Sequence, residues 1–139
     1  MKALLQIILV GMIICTLTGA ALAADKPVKA NKQWMGSVAD AKLEKDAPKV
    51  ITSAKQFEKL WKDWKIGDKV PEVDFTKEIL VIATTPGSKL NLSCSLDDKG
   101  DLKVLGQATS DFGEGFRYVI QSVDREGVKT VNGKELPKE

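Results

Sequence analysis

The apolar residues near the middle of the chain recur at the spacing of an α-helix. They stand at i, i+3, i+4 and i+7 and so form one stripe: Phe57, Leu60, Trp61 and Trp64. Just before them, Ser53 and Gln56 have the spacing of a capping box, in which each side chain accepts a hydrogen bond from a free backbone N–H near the other. The pattern predicts one principal helix over residues 53–65.

Other stretches have the pattern of β-strands. Residues 79–83 are continuously apolar and rich in β-branched side chains, which is typical of a central strand. Residues 90–96 and 102–105 flank a turn rich in Asp and Gly, and so predict a hairpin. Asn132-Gly133 is a second hairpin signal. Further short strands are predicted at 34–38, 116–121, 128–131 and 134–136. We therefore predict an α+β fold, in which the principal helix packs on a curved, mostly antiparallel sheet.

The beginning of the chain has the pattern of a secretory signal peptide over residues 1–23. Lys2 supplies the positive start, an apolar run follows, and residues 21–23 form the Ala-Leu-Ala pattern of a cleavage site. The alternative is a retained membrane anchor, because the apolar run is long enough to span a bilayer if it is not cut. We predict a flexible lead-in over residues 24–33, a single α+β domain over 34–139, and a location in the periplasm or outside the cell.

Composition narrows the range of partners. The chain has a net charge of +2, and its lysines are interleaved with Asp and Glu almost throughout. Nucleic-acid binding relies on a clustered basic surface, so we do not expect a nucleic-acid partner. A membrane partner is expected only if the leader is kept as an anchor.

The residue types present exclude several reaction classes. The chain contains no histidine, which excludes Ser-His-Asp and Cys-His catalysis and the usual zinc sites. Cys15 is predicted to leave with the leader, so Cys94 remains as an unpaired thiol at an apolar position of its strand, where we expect it to be buried. We therefore predict a protein that is not an enzyme and that uses no cofactor and no metal.

Two sets of residues permit a binding role as well as a structural one. The first could hold calcium, although its spacing does not match the twelve-residue calcium loop and favours an ordinary turn: Asp97, Asp98 and Asp101. The second could line a ligand groove, although helical spacing favours core packing for two of its members: Trp34, Trp61 and Trp64. The groove alternative corresponds to a small-ligand or carbohydrate-binding module.

The loop at 106–115 is the candidate interaction region. It is long for a hairpin connection and carries two carboxylates among glycines. Its candidate contact residues are Ser110, Asp111, Phe112, Gly113 and Glu114. Asp111 and Glu114 could also act as the acid and base of a glycoside hydrolase, but no aromatic platform for a sugar surrounds them in the sequence.

The order of features over residues 50–85 resembles a known family. A capped helix with an apolar stripe, then Val-Asp-Phe at 73–75, then the apolar strand at 79–83 is similar to the C-terminal domain of the PrcB family. Members of that family are described as stabilising an exported protease complex. The chain departs from the family at 86–89, where it has Pro-Gly-Ser-Lys instead of a glycine-rich turn leading to an aromatic residue. Residues 125–134 are similar instead to small exported proteins of planctomycete-type bacteria.

These features together predict a binding protein. The PrcB resemblance implies a protein partner and offers no catalytic residues to carry over. We expect an exported, non-enzymatic domain that binds a protein of the cell envelope and stabilises or modulates it. The contact regions expected for that partner are the loop at 106–115 and the edge strands, where an added strand could pair.

Overall fold

The computed structural model describes residues 25–138. The predicted signal peptide, its alternative as an anchor, and Cys15 lie outside the described residues. Among residues 25–138, no helix has both the length and the apolar character needed to cross a membrane.

The described residues contain nine strands, one α-helix and one short 3-10 helix. The strands are β1 (Lys26–Val28), β2 (Lys32–Val38), β3 (Val50–Ile51), β4 (Glu78–Thr85), β5 (Leu90–Leu96), β6 (Asp101–Ala108), β7 (Phe116–Asp124), β8 (Thr130–Val131) and β9 (Lys134–Glu135). The α-helix, α1, spans Ala54–Asp63, and the 3-10 helix spans Ala41–Glu44.

The strands form two open sheets. The first has five strands in the order β1-β5-β6-β8-β9, and the second has four in the order β2-β7-β4-β3. Every pairing is antiparallel except that of β6 with β8. The predicted α+β class and the mostly antiparallel pairing are confirmed, but the strands are divided between two sheets where the sequence predicted one.

Helix α1 begins at its predicted cap. The Ser53 hydroxyl accepts a hydrogen bond from the backbone N–H of Gln56 at 3.4 Å, and the Gln56 side chain accepts one from the N–H of Thr52 at 3.3 Å. The glutamine therefore reaches one residue beyond the position that a capping box requires. The helix ends at Asp63, earlier than predicted, because the chain turns at Lys65, which has a φ of 51°.

The apolar stripe of α1 belongs to a hydrophobic cluster shared with β4 and β7. Its members from those strands are Leu80, Ile82, Phe116, Tyr118 and Ile120. The Trp64 ring lies 5.2 Å from that of Phe116, and the half-buried Trp34 lies 5.6 Å from Phe57. Burying the four stripe side chains contributes about 6–12 kcal/mol. Trp61 and Trp64 are thus buried in the core and Trp34 packs against it, although Trp64 also lines a surface cavity of about 490 Å³.

The other face of β4 and β7 faces the five-stranded sheet. Successive side chains of a strand point to opposite faces, so Ile79, Val81 and Val123 belong to a second cluster. Cys94, Leu102 and Val131 of the five-stranded sheet complete that cluster. Because the middle of β4 is buried on both faces, residues 79–83 are continuously apolar, as predicted for a central strand.

The segment predicted as a flexible lead-in contains paired strands. Strand β1 pairs with β5, with Val28 opposite Cys94. Asn31 then donates hydrogen bonds to Glu78 at 2.7 Å and to Asp124 at 2.8 Å, and β2 begins at Lys32. Residues 26–28 and 32–33 of the predicted lead-in thus pair with strands that lie far along the chain.

Candidate functional site

The candidate interaction region crosses from one sheet to the other. Residues 106–108 belong to β6, so the loop proper is 109–115, which we call the crossover loop. The loop, which is long for a hairpin connection, does not join a hairpin, because β6 and β7 lie in different sheets and do not pair. The loop therefore passes from the five-stranded sheet to the four-stranded sheet.

The crossover loop is bound to the turn at 86–89 that joins β4 to β5, which we call the supporting turn. The Thr109 N–H donates to the Lys89 carbonyl at 3.1 Å, and the Gly113 N–H donates to the Pro86 carbonyl at 2.9 Å. The Lys89 N–H in turn donates to the Thr109 hydroxyl at 3.1 Å. These bonds fix the backbone of the loop at two points.

Asp111 provides a third attachment. Its carboxylate accepts a hydrogen bond from the Ser88 N–H at 3.0 Å. Hydrogen bonds from the hydroxyl of Ser88 and then from that of Thr109 hold the pKa of Asp111 well below its usual range. The charged form is therefore favoured, and it acts as an acceptor that joins the two loops.

Two glycines allow close backbone contacts of the crossover loop, one with the supporting turn and one with the end of β2. A Cβ at Gly87 would overlap the carbonyl oxygen of Thr109. A Cβ at Gly115 would overlap the carbonyl oxygen of Val38, and Gly115 also has a φ of 70°, which favours glycine. The sequence shows these glycines, but their necessity is visible only from the contacts.

Phe112 presents its ring to solvent at the tip of this structure. It is 85% exposed, more than the other large exposed hydrophobic side chains within residues 25–138, Met35 at 58% and Leu105 at 56%. Ser110, Asp111, Gly113 and Glu114 are also exposed. The five predicted contact residues therefore lie together on one surface loop.

The geometry gives little support to a glycosidase. Such an enzyme needs one carboxyl group that stays protonated and donates to the leaving group. Asp111 is not suited to be that acid, because its hydrogen bonds lower its pKa. Trp61 and Trp64, which could have supplied a sugar platform, are buried.

The carboxylates considered for calcium organise turns. Asp97 accepts hydrogen bonds from the N–H groups of Lys99 and Asp101, both at 2.9 Å. Asp101 accepts from the Gly133 N–H and the Thr130 hydroxyl, both at 2.8 Å, and these bonds lower its pKa. Residues 25–138 contain no group of three or more side chains placed to share a metal ion.

Cys94 is buried, as the alternation in its strand predicted. It is 7% exposed, and its Sγ lies 3.8 Å from the Gln121 side-chain oxygen. Burial raises the pKa of the Cys94 thiol to about 11. The thiol is therefore protonated at neutral pH and is a weak nucleophile.

One strand edge, along the second half of β6, borders a surface cavity. A cavity of about 340 Å³ lies between the end of β4, the end of β6 and residues 44–49. The one signal for it in the sequence is that residues 104–108 contain neither a charge nor a proline, the residues that usually protect an edge.

Comparison with known proteins adds no relative: no protein-family model, no curated protein and no solved structure matches this chain. The resemblance to the PrcB family therefore stays a prediction from the residues quoted above. Function has to be argued from the site itself.

Proposed function

We propose that this protein is a non-enzymatic, exported domain that binds another protein and stabilises or modulates it in the cell envelope. The observation that carries the proposal is Phe112, whose ring is 85% exposed on a loop held by the supporting turn. Aromatic side chains that become buried in a complex are among the strongest contributors to protein binding.

The attachment of the loop supports a binding role. A loop that is already ordered loses less conformational entropy on binding than a mobile one. The bonds from Asp111, Gly113 and Thr109 supply that order before any partner arrives. When a partner buries Phe112, little of the favourable free energy of that burial is therefore offset by ordering of the loop.

The proposed architecture is consistent with this use. Helix α1 covers one face of a curved four-stranded sheet and the five-stranded sheet covers the other, so the surfaces left for a partner are the loops, the strand edges and the outer face of the five-stranded sheet. Export follows from the leader pattern at 1–23, and the PrcB resemblance suggests a partner of the protease-complex type.

Photocrosslinking in living cells tests the proposal. A photoreactive phenylalanine analogue is placed at Phe112 and, in a matched control, at Met35, the next most exposed large apolar side chain. We expect one defined protein to be joined at position 112 and not at position 35. Phe112→Ser should then reduce recovery of that protein by about tenfold, the loss of a binding hot spot of 1.4 kcal/mol or more.

Two results would contradict the proposal. One is the absence of any crosslinked protein at position 112 when the analogue is present in the folded chain. The other is a partner that binds the Phe112→Ser and Met35→Ser variants equally well. The alternative of a small-ligand or carbohydrate-binding module has lost its main support, because Trp61 and Trp64 lie in the core.

A further inference from the structure

We infer that the free edge of β6 binds an extended segment of the partner as an added β-strand, with an apolar side chain in the adjacent cavity and a carboxylate beside it. This inference rests on the proposed function and names the form in which the partner binds. It concerns a surface separate from Phe112, so the two can be tested independently.

The edge of β6 is paired only along its first half. Strand β8 pairs with Asp101 and Leu102. The Asn132 side chain then takes the place of a strand residue: it accepts from the Val104 N–H at 2.8 Å and donates to the Val104 carbonyl at 3.4 Å. The pairing along this edge, within the described residues, ends at Val104.

Beyond Val104, the outward backbone groups of β6 have no hydrogen-bond partner within residues 25–138. Backbone groups alternate in direction along a strand, and the bonds at Leu102 and Val104 show that even-numbered residues point away from β5. Gly106 and Ala108 therefore direct their N–H and C=O groups outward, and both residues are exposed. They offer two donors and two acceptors with the spacing of a strand ladder.

Nothing in the edge opposes an added strand. Natural edge strands are usually protected by charges, prolines or bulges, but residues 104–108 read Val-Leu-Gly-Gln-Ala. Gly106 and Ala108 are also small, so that another backbone can come close. Leu105, at 56% exposed, adds an apolar contact on the outer face of the sheet.

The cavity beside this edge defines the chemistry of the occupant. Its apolar lining includes Ile82, Ala83 and Val131. Alternate side chains of a strand added to β6 would point into it, and an apolar residue such as valine or leucine suits that lining. Lys45 and Lys49, both exposed, also line the cavity, with Glu44 as the opposing charge. The excess of positive charge favours a carboxylate next to the apolar residue.

The same geometry favours a single extended segment of a partner, rather than a second copy of this chain, as the occupant of the edge. Residues 44–49 stand on the far side of the cavity and leave a slot rather than an open face. Self-pairing would use only Gly106 and Ala108 from each copy, whereas a stable dimer buries about 1,200–2,000 Å². A short extended segment is therefore the occupant that fits.

Peptide selection with the purified protein tests the inference. Random peptides displayed on phage are selected against the protein, and the enriched sequences are synthesised. We expect alternating apolar residues with an adjacent Asp or Glu. On binding, amide exchange at Gly106 and Ala108 should slow by about tenfold or more, because their N–H groups become hydrogen bonded.

Variants separate edge pairing from other modes of binding. Ala108→Pro removes an outward N–H without removing a bond to β5, and should weaken binding by about tenfold or more. Gln107→Ala, on the same strand, leaves the outward groups intact and should change affinity less than about twofold. Leu105→Lys adds a charge at an exposed position and should also weaken binding. It is the replacement test of edge pairing if Ala108→Pro does not fold.

The outcomes distinguish this inference from the proposed function. Failure to enrich any peptide, or enriched peptides that bind Ala108→Pro and Leu105→Lys as tightly as the unchanged chain, would overturn the edge proposal. A concentration-dependent dimer abolished by Ala108→Pro would also overturn it and assign the edge to a second copy. Crosslinking at Phe112 could succeed in either case, so the proposed function would stand or fall separately.

Discussion

At the scale of single residues, Gly115 is where the crossover loop depends most directly on backbone conformation. Its φ of 70° favours glycine, and a Cβ would overlap the Val38 carbonyl oxygen, so any side chain here strains the backbone. We predict that Gly115→Ala lowers the free energy of unfolding by about 1–3 kcal/mol, the range for strained backbone. Urea denaturation measures the change, and Gly113→Ala is the matched control because its Cβ would lie 3.8 Å from the nearest atom, the Pro86 carbonyl oxygen. Equal stability of the two variants would contradict the prediction.

Asp111 leads to a prediction about pH. Its pKa is lowered in the folded protein, so the unfolded chain binds its proton more readily than the folded chain does. The stability that Asp111 contributes is therefore present above its unfolded pKa of about 3.9 and is lost as the pH falls below it.

We predict that Asp111→Asn makes the urea midpoint less dependent on pH below about 4, where the unfolded carboxyl titrates. Ser88→Ala should act in the same direction, because it removes the hydroxyl that contributes most to the lowered pKa. Some dependence should remain in both variants, since hydrogen bonds also lower the pKa of Asp74 and Asp101. If the urea midpoint of Asp111→Asn depends on pH below about 4 as strongly as that of the unchanged chain, this carboxylate does not hold the loops together.

At the scale of elements, helix α1 is stabilised both by local sequence features and by tertiary packing. Its cap and its stripe were both visible in the sequence, because each depends on residues within a few positions of one another. The stripe is stable only because it packs against β4 and β7. An isolated helix of this length would be marginal in water.

We predict that Ser53→Ala lowers the free energy of unfolding by about 1 kcal/mol, because it removes the acceptor for the Gln56 N–H. Thermal or urea unfolding provides the measurement. Lys55→Ala is the matched control, since this exposed residue on the first turn should change stability by less than about 0.5 kcal/mol. If both variants behave alike, the cap does not stabilise the helix.

At the scale of the whole molecule, the two sheets are joined by connections that the sequence does not distinguish from hairpins. Strands β5 and β6 follow one another and pair, whereas β6 and β7 follow one another and lie in different sheets. The polar Gln121 also links the sheets, donating to Gln33 at 2.7 Å and to the Leu92 carbonyl at 3.1 Å.

Strand β1 supplies the prediction at this scale. Removing residues 24–30 deletes three cross-strand pairs with β5 and the ion pair between Asp25 and Lys103 at 2.8 Å. We predict a loss of about 1–3 kcal/mol in the free energy of unfolding, mainly from the cross-strand pairs. Pro27→Ala keeps the strand and should have little effect. A truncated chain with an unchanged urea midpoint would support the original prediction of a flexible lead-in.

Strand β1 also shows why part of the fold was missed. Lys26-Pro27-Val28 is short, and a lysine and a proline reduce its strand pattern. Its partners are the last residues of β5, far along the chain. The hairpin at Asn132-Gly133 was predicted correctly because its signal is local. Both residues take positive φ, 48° and 78°, which these residue types adopt readily.

The sequence alone determined the features whose cause is local: the helix and its buried stripe, the hairpin turns, and the burial of Cys94 by strand alternation. Tertiary structure decided the division into two sheets, the anchoring role of Asp111, the exposed position of Phe112, and the slot beside β6. The physical reason is that each of these depends on contacts between distant segments, such as Ser88 with Asp111 and Asn132 with Val104. Such contacts form only when the whole chain packs, and no periodicity within a single segment encodes them.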